Sequence, residues 1–241
     1  MAVAALLGWG CRGAAGEGGP AAPGRDVGAG VVLAEAVAAH GRLDGGAPLK
    51  IVKRTRLFAA DATLDTCYFR EVLLAGEDSR GRAGTNPACG GYFAPGSALE
   101  GVADEALAGE ALREAYFTAT LPWRLLDEGA AVRRLPDTLV GDLSDALGID
   151  GGSPIRRLAV TYPGDPRGER FVHYFDAVTK LHAGYRIDHA DGPVLVANDS
   201  FADRDGVRLI RHRTTYRLDS AGRPAWRRAD FTYGYPDGPA H

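Results

Sequence analysis

The sequence lacks any apolar run close to the roughly 20 residues that a membrane-spanning helix requires. It also lacks an excess of positive charge, because 28 Lys and Arg residues stand against 31 Asp and Glu and give a net charge of -3. That balance argues against a dedicated nucleic-acid-binding protein, whose affinity depends on neutralising phosphates. A hydrophobic content of 45% is too high for a disordered chain, and 241 residues suffice for one large all-β domain or two small ones.

Common catalytic motifs are also missing. The chain has no G-x-S-x-G, H-E-x-x-H, P-loop or G-x-G-x-x-G motif. The residue types of a catalytic triad occur in Asp199, Ser200 and either His189 or His212, but a triad is recognised by geometry and not by residue type. Two pairs of histidines share no spacing that defines a metal site: His182 with His189, and His173 with His212. We therefore predict a non-enzymatic protein without a metal or cofactor.

Only three cysteines occur in the chain, and the first follows a short apolar segment. Residues 2–9 are apolar and lead into Gly10-Cys11, which resembles the cleavage site of a bacterial lipoprotein signal, where the cysteine becomes the acylated first residue. No Lys or Arg precedes the run, and a start codon placed too far downstream would explain this departure. The alternative is a disordered N-terminus with an incidental cysteine. We expect acylation at Cys11 and anchoring in the bacterial envelope, facing the periplasm, with the outer membrane favoured.

The segment after Cys11 has the composition of a tether. Residues 12–25 are almost entirely Gly, Ala and Pro and cannot bury enough surface to fold. We therefore divide the chain into a signal remnant with a flexible tether, 1–25, and a single domain, 26–241. Cys67 and Cys89 then remain as an even pair, and a disulfide between them in an oxidising compartment would contribute about 3 kcal/mol. Two buried free thiols are the alternative, and neither cysteine has zinc-site spacing.

Hydrophobic periodicity predicts a mainly β, antiparallel domain with some helix. Helical spacing of apolar residues occurs over 26–40, where Gly41 provides a stop, and over 104–121, which Pro122 ends. Residues 77–88 are rich in Gly, Arg, Ser and Asn and predict a loop or a hairpin tip. Consecutive strands with short links favour a meander over βαβ units. Strands are predicted over 48–60, 64–74, 131–140, 155–162, 170–175, 181–188, 194–202, 207–218 and 226–235.

A predicted hairpin at 170–193 concentrates three histidines and three aspartates. Strict alternation puts His173 on a face with Phe171, and puts His182 on the opposite face from Tyr185. The histidines would then be scattered over both faces and a turn. We therefore expect them to face solvent in incidental roles, as polar residues do at alternate positions of a half-exposed sheet.

Arginines cluster in the strand predicted over 207–218. Alternation puts Arg211 and Arg213 on one face, where they are candidates for contact with an anionic head group. A solvated basic face is the alternative.

The order of the predicted elements is that of a known superfamily: a helix, two or three long strands, a helical insert ending in Leu-Pro, and a meander of hairpins. The segments that carry the resemblance are "AEAVAAHG" at 34–41, "YFTATLPWRLLDEGA" at 116–130, "LAVTYP" at 158–163, "HYFDAVTKLHAGYR" at 173–186 and "DRDGVRLIRHRTTYRLDSAGR" at 203–223. With these segments in this order, the chain resembles the bacterial outer-membrane lipoprotein carrier and receptor superfamily (Lol-type), and most closely a family of uncharacterised lipoproteins with that fold. The resemblance implies a strongly curved antiparallel sheet forming an incomplete barrel, with helices packed in its concave side and apolar ligands between them.

The insert at 104–127 is the predicted working surface, because it joins an amphipathic helix to an apolar turn. We expect it to lie in the concave side of the sheet and to line or close an apolar cavity through Leu107, Leu112, Tyr116, Trp123 and Leu126. The predicted function is an envelope lipoprotein that binds an acyl chain, a lipid or a lipoprotein, as a carrier or chaperone. A structural or interaction lipoprotein with a solid core, and a hydrolase whose site is assembled only in three dimensions, are the alternatives.

Overall fold

The computed structural model describes residues 26–43, 49–74, 80–85, 117–126, 129–139, 143–150, 152–162, 169–189 and 192–236. Within these ranges, side chains are described except at 65–74, 80–85 and 139. Several predicted site residues therefore lie outside the described residues or side chains: Cys11, Cys67, Cys89, Leu107, Leu112 and Tyr116.

Ten antiparallel strands form one sheet in the described part of the chain. The strands are β1 (Leu49–Phe58), β2 (Leu64–Leu74), β3 (Arg80–Thr85), β4 (Ala131–Leu139), β5 (Pro154–Thr161), β6 (Arg170–Asp176), β7 (His182–His189), β8 (Gly192–Arg204), β9 (Val207–Leu218) and β10 (Pro224–Gly234). Their spatial order is β3-β2-β1-β10-β9-β8-β7-β6-β5-β4. The meander from β4 to β10 thus continues into the first hairpin through the pairing of β10 with β1. Since β3 and β4 do not pair with each other, the sheet is an incomplete barrel, and the predicted mainly β fold is confirmed.

Of the two alternatives predicted at 77–88, a loop and a hairpin tip, the loop is wrong in the central part of the segment. Residues 80–85 form β3, which pairs with β2 from Tyr68 opposite Thr85 to Leu73 opposite Arg80. The sequence of β3 contains two glycines and no apolar alternation, so it carries no strand signal of its own. A long neighbouring strand can impose the strand conformation, because the intrinsic preference of a segment is weaker than the pairing that its neighbour offers.

Helix α1 (Val27–His40) matches the helix predicted from the sequence. The Asp26 side chain caps its start, accepting from the backbone N–H of Ala29 at 2.6 Å. The other carboxylate oxygen accepts from the backbone N–H of Arg134 in β4 at 2.7 Å. Gly41, with φ 85°, ends the helix. No helix in the described part of the chain is both long and apolar enough to cross a membrane.

The two faces of the sheet carry separate apolar clusters. On one face, which we call the inner face, α1 and residues 117–126 pack on strand residues that include Ile51, Leu158 and Phe231. The opposite, outer face is partly covered by the short helix Ser144–Leu147 and its neighbours. Residues 117–119 are helical, and Trp123–Leu126 form a 3-10 helix. Helical segments therefore occupy the inner, concave side of the incomplete barrel, as predicted.

Candidate functional site

Polar side chains are buried among the apolar residues of the inner face. They form one connected set that joins α1 to four consecutive strands, β6 to β9. Buried polar groups are costly unless they are hydrogen-bonded, so such a set has to be complete to be stable. We call it the histidine network; its members are His40, His173, His182, Asn198 and Arg213.

His40 joins the end of α1 to two strands. Its Nδ1 lies 2.8 Å from the carbonyl oxygen of Arg208 in β9. Its Nε2 accepts from the backbone N–H of His182 in β7 at 3.1 Å. Since a carbonyl oxygen only accepts, the His40 proton is on Nδ1. The rings of Trp123 and Phe201 meet the imidazole edge-on at 5.6 and 5.1 Å. The C-terminal end of α1 is thus fixed to the sheet by both ring nitrogens.

The remaining members are linked side chain to side chain. Nδ1 of His173 lies 3.0 Å from Nε2 of His182, and Nδ1 of His182 lies 3.0 Å from the amide nitrogen of Asn198. The same amide nitrogen donates to the His182 carbonyl oxygen at 2.8 Å. The Asn198 oxygen accepts from Nε of Arg213 at 3.0 Å, and the guanidinium also donates to the carbonyl oxygen of Thr118 at 3.1 Å. The network therefore holds residues 117–126 as well as α1 against the sheet.

The prediction that the histidines face solvent is wrong for His173 and His182, which are 2% and 0% exposed. Gly184 and His182 pair with consecutive residues of β6, so Ala183 is an extra residue without a partner in that ladder. Such a bulge reverses the alternation of side chains beyond it. It brings His182 onto the face of Tyr185, where the two rings are parallel within 4° at 6.2 Å.

Gly184 is required at this bulge. Its φ is 154°, and a Cβ atom there would lie 2.2 Å from the carbonyl oxygen of Val196 and 3.0 Å from a Leu147 methyl group. An isolated glycine inside a predicted strand indicates a bulge or a close backbone approach. This was the signal in the sequence by which the burial of His182 could have been found. No comparable signal marks His40 or Asn198.

Burial controls the protonation of the three histidines. It lowers the pKa of His40 to about 4. It lowers the pKa of His173 to about 3, and the positive charge of Arg213 acts in the same direction. The pKa of His182 is also lowered well below its ordinary value, first by burial and then by the adjacent His173, His40 and Arg213. All three rings are therefore neutral at neutral pH, with one donor and one acceptor nitrogen each.

Two buried cations flank Tyr233 on the inner face. Lys53 and Arg213 are each 1% exposed. Lys53 Nζ lies 4.6 Å from the centroid of the Phe231 ring and 5.9 Å from that of Tyr233. The Arg213 guanidinium carbon lies 5.8 Å from the Tyr233 centroid. The inner face therefore combines aromatic surface with positive charge, an arrangement in which ring and cation attract each other.

The predicted pair of head-group arginines is divided between two environments. Arg213 is buried in the histidine network, whereas Arg211 is exposed. The register between β8 and β9 shifts here, with Ser200 opposite His212 and Phe201 opposite Ile210. No residue of β8 therefore lies opposite Arg211 in the ladder. This irregularity breaks the alternation on which the shared face was predicted. Contact of either arginine with an anionic head group stays a prediction.

The described end of the predicted insert lies on the inner face. Trp123 is 8% exposed, packs in the inner cluster, and donates from its indole nitrogen to the carbonyl oxygen of Gly41 at 3.1 Å. Leu126 is 41% exposed at the end of the 3-10 helix. Leu121 and Leu125 are fully buried in the same cluster. Residues 117–126 are therefore attached both to the sheet and to the C-terminal end of α1.

The other polar pairs considered from the sequence lie apart from the network. Nδ1 of His212 lies 2.7 Å from an Asp199 carboxylate oxygen, and Nδ1 of His189 lies 2.7 Å from that of Glu169. Ser200 is the register partner of His212, but no hydrogen bond joins its hydroxyl to that ring within the described residues. No described group of three His, Cys, Asp or Glu side chains could hold a metal ion.

No protein-family model matches the sequence, and no curated protein matches it. Solved structures match its fold. A LolA superfamily protein from Nitrosomonas europaea is 14% identical with a TM-score of 0.52, and the match covers 88% of this chain and 94% of that one.

Two further structures align at lower TM-scores. A domain assigned to outer membrane lipoprotein sorting, from Vibrio parahaemolyticus, is 9% identical with a TM-score of 0.47, over 87% of this chain and 93% of that one. A DUF1329 family protein from Desulfovibrio piger is 10% identical with a TM-score of 0.39, over 88% and 95%. Of these three structures, the first alone has a TM-score above 0.5. Because it is 14% identical to this chain, the match shows the fold and nothing further. The incomplete antiparallel barrel with helical segments in its concave side is therefore a Lol-type fold.

Proposed function

We propose that this chain is a bacterial envelope protein that binds an apolar ligand, an acyl chain of a lipid or lipoprotein, on the inner face of its sheet and acts as a carrier or chaperone. The observation that carries the proposal is the construction of that face. Apolar and aromatic side chains from strands across the sheet converge there beneath α1 and residues 117–126. Concave, largely apolar surfaces with a few fixed polar groups are typical of small-molecule sites.

The segments that cover the inner face are separate from the strand pairing of the sheet. Neither α1 nor residues 117–126 belong to the strand ladder. They are held through side-chain and carbonyl contacts, among them those of His40 with Arg208 and of Arg213 with Thr118. An apolar ligand that replaces the packing of these segments would leave the strand pairing intact.

Binding can be tested by mapping the ligand onto the two faces. We would purify the full-length chain from membranes in mild detergent and measure co-purified lipid by native mass spectrometry. A fatty acid with a photoreactive group would then be cross-linked to the protein and its adducts assigned to residues. We expect adducts on inner-face residues such as Leu158 and Phe231, and not on outer-face residues such as Tyr174 and Tyr216. Adducts confined to the outer face would contradict the proposal.

The second candidate function is a structural or interaction lipoprotein with a solid core, and the close packing of residues 117–126 favours it. Ala119, Leu121 and Leu125 are fully buried in the inner cluster. A structural or interaction lipoprotein would need no ligand beneath them. In that case native mass spectrometry would give the mass of the protein without lipid, and the fluorescence of an added fatty-acyl probe would not saturate.

The envelope location includes a proposed lipid anchor at Cys11. Its support is the apolar run before Gly10-Cys11 and the Gly, Ala and Pro tether after it. Metabolic labelling with a fatty acid, in a precursor extended upstream if necessary, should mark the protein. The Cys11→Ala variant should lose the label, and equal labelling of that variant would exclude the anchor.

We also propose a disulfide between Cys67 and Cys89 in the exported protein. Its support is the oxidising compartment and the even pair that remains after Cys11 is acylated. Alkylation of native envelope protein with and without reductant tests it. Two thiols that are alkylated without reductant would show free cysteines.

A further inference from the structure

The side of α1 that faces solvent is apolar. Among the 14 residues of the helix, only Glu35 and His40 have titratable side chains, and His40 is buried. Val27 is 87% exposed and Val31 is 53% exposed. A surface helix usually turns charged side chains to water, and a helix that is apolar on all sides is usually covered. The exposed apolar residues form a line about 60° wide along the helix, which we call the α1 stripe: Val27, Val31, Ala34 and Ala38.

A further exposed apolar side chain lies next to α1. Val178 is 69% exposed in the turn between β6 and β7. Lys180 of the same turn donates from Nζ to the carbonyl oxygen of Ala177, and this Nζ lies 3.7 Å from a carboxylate oxygen of Glu35. Because Glu35 is one helical turn after Val31, this contact brings the turn beside α1. Val178 therefore adds exposed apolar surface next to the helix.

Basic side chains lie along the borders of the helix. The carboxylates at its start and in its middle each lie near two basic side chains. A third carboxylate is paired with one of these cations. A small excess of positive charge beside an apolar stripe suits the surface of an anionic bilayer, which attracts Lys and Arg. Four cations accompany three carboxylates here: Arg133, Arg134, Arg156 and Lys180 with Asp26, Glu35 and Asp137.

The chain before α1 connects the stripe to the proposed lipid anchor. Residues 12–25 join Cys11 to Asp26, the N-cap of the helix. A segment of this length reaches at most about 50 Å when fully extended, and a Gly-rich linker spans about 20 Å on average. An acyl chain on Cys11 would therefore hold the start of α1 near the membrane surface. There even a weak contact would form, because its effective concentration is high.

The α1 stripe is too small to hold two copies of the protein together in solution. A helix of 14 residues is about 21 Å long, so a stripe about 10 Å wide covers roughly 200 Å². Stable complexes bury about 800 Å² on each partner. A bilayer surface has no such requirement when an anchor already keeps the protein beside it.

We propose that the α1 stripe is the surface through which the anchored protein contacts the membrane, with Val27 and Val31 at the acyl-chain boundary of an anionic phospholipid bilayer. This inference rests on the proposed lipid anchor at Cys11. The opposite side of α1 packs in the inner cluster, so the helix would lie between the bilayer and the inner face of the sheet. Helices with one exposed apolar side lie in the plane of the interface in this way.

Photolabelling of the wild-type protein tests this contact without any substitution. Acylated full-length protein would be reconstituted into vesicles of phosphatidylethanolamine and phosphatidylglycerol that contain a phospholipid with a diazirine near its ester groups. We expect lipid adducts on the α1 stripe and on Val178. Leu64, a comparably exposed apolar residue at the start of β2, provides the control and should not be labelled. Adducts that are no more frequent on the stripe than on Leu64 would overturn the inference.

A double variant measures the contribution of the two valines. Val27→Ser combined with Val31→Ser should keep the helix, because serine and valine have similar helix propensities. Without these two apolar contacts, the adducts on Ala34 and Ala38 should decrease about tenfold. Leu64→Ser should leave them unchanged. Equal labelling of Ala34 and Ala38 in the wild type and the double variant would show that the valines do not reach the bilayer.

The results separate this inference from the proposed function. If Cys11 is acylated but the α1 stripe takes no lipid, or cross-links to a second copy of the chain instead, the inference is wrong and the anchor stands. If the chain carries no acyl group, both are wrong. Ligand binding on the inner face is reported by adducts on Leu158 and Phe231, so it is scored independently of the stripe.

Discussion

His173 Nδ1 and His182 Nε2 lie 3.0 Å apart on neighbouring strands, with a single proton between them. A second proton on the ring that accepts this hydrogen bond would point its new N–H at the N–H of the other ring. The other acceptor nitrogens are occupied in the same way: Nδ1 of His182 by the Asn198 amide, and Nε2 of His40 by a backbone N–H. Each protonation of the network therefore breaks a hydrogen bond in addition to burying a charge.

This arrangement predicts that acid destabilises the fold. The pKa of His40 is about 4 and that of His173 about 3 in the folded protein, against about 6.5 in an unfolded chain. Below pH 6.5 the unfolded state therefore binds more protons, so the free energy of unfolding should fall from about pH 6.5 towards pH 4 and stay constant above about pH 7.5. His40 and His173 together should give a slope that approaches about 3 kcal/mol per pH unit at its steepest, and the lowered pKa of His182 acts in the same direction.

Urea unfolding between pH 8 and pH 5 measures this dependence, over a range in which carboxylates contribute little. His212→Asn, which removes a half-exposed histidine outside the network, should keep the same profile. A free energy of unfolding that does not change between pH 7 and pH 5 would contradict the assignment of neutral, hydrogen-bonded histidines.

Asn198→Leu should destabilise the protein strongly, because it removes partners from two neighbours at once. Nε of Arg213 and Nδ1 of His182 would both remain buried without their amide contacts. Each buried polar group left unsatisfied costs about 1–3 kcal/mol, so for two groups we expect a loss of about 2–6 kcal/mol by urea unfolding. Ser200→Ala, two positions along the same strand and outside the network, should change the stability by less than about 0.5 kcal/mol. Equal effects of the two substitutions would argue against a connected network.

Gly184→Ala tests the bulge that turns His182 inward. The new Cβ would lie 2.2 Å from the Val196 carbonyl oxygen, and the backbone has φ 154°. We expect a loss of more than about 2 kcal/mol, measured by chemical denaturation. Gly30→Ala is the matched control, since apart from its chain neighbours and the local backbone of α1 no atom lies within 4 Å of a Cβ built there. It should stabilise the protein by about 0.5–1 kcal/mol, because glycine is a poor helix former. If both substitutions changed the free energy of unfolding in the same direction, the result would contradict the local geometry described for the two glycines.

Trp123→Ala separates a packing role from a gating role. Trp123 fills the inner cluster and bonds to Gly41, so truncation should cost about 3–5 kcal/mol if the residue is core. The half-exposed Leu126 provides the control, and Leu126→Ala should cost less than about 1 kcal/mol. Thermal and urea unfolding measure both. A small loss for Trp123→Ala, together with altered uptake of a fluorescent fatty acid, would instead indicate a gate.

The architecture was predictable because its signals are repeated. Alternation in β1 places Leu49, Ile51 and Thr55 on the buried side and Arg54 and Arg56 on the exposed side, as the period of two requires. Similar patterns recur along the later strands, and short turns link them into a meander. The order of helix, strands, insert and strands then suffices for the resemblance to the Lol-type fold.

The candidate site was not predictable in the same way, because it depends on departures from the pattern. One extra residue at Ala183 moves His182 from the expected outer face to the inner face. The pairing of β10 with β1 brings Lys53 beside Tyr233, although the two residues are far apart in the sequence. Neither a bulge nor a long-range pairing changes local composition, so periodicity cannot report them.

The carboxylate of Asp26 affects whether another chain can pair with the edge of the sheet at β4. One of its oxygens accepts a hydrogen bond from the backbone N–H of Arg134 in β4. Among the described residues, β4 pairs only with β5 and is therefore an edge strand of the sheet. Unpaired N–H groups along such a strand are the usual template for adding another chain, and here one is already occupied. Pro136, two positions further along, has no N–H to offer. A segment that extended the sheet beyond β4 at Arg134 would first have to displace the Asp26 carboxylate, so the start of α1 protects this edge of the sheet against pairing with another chain.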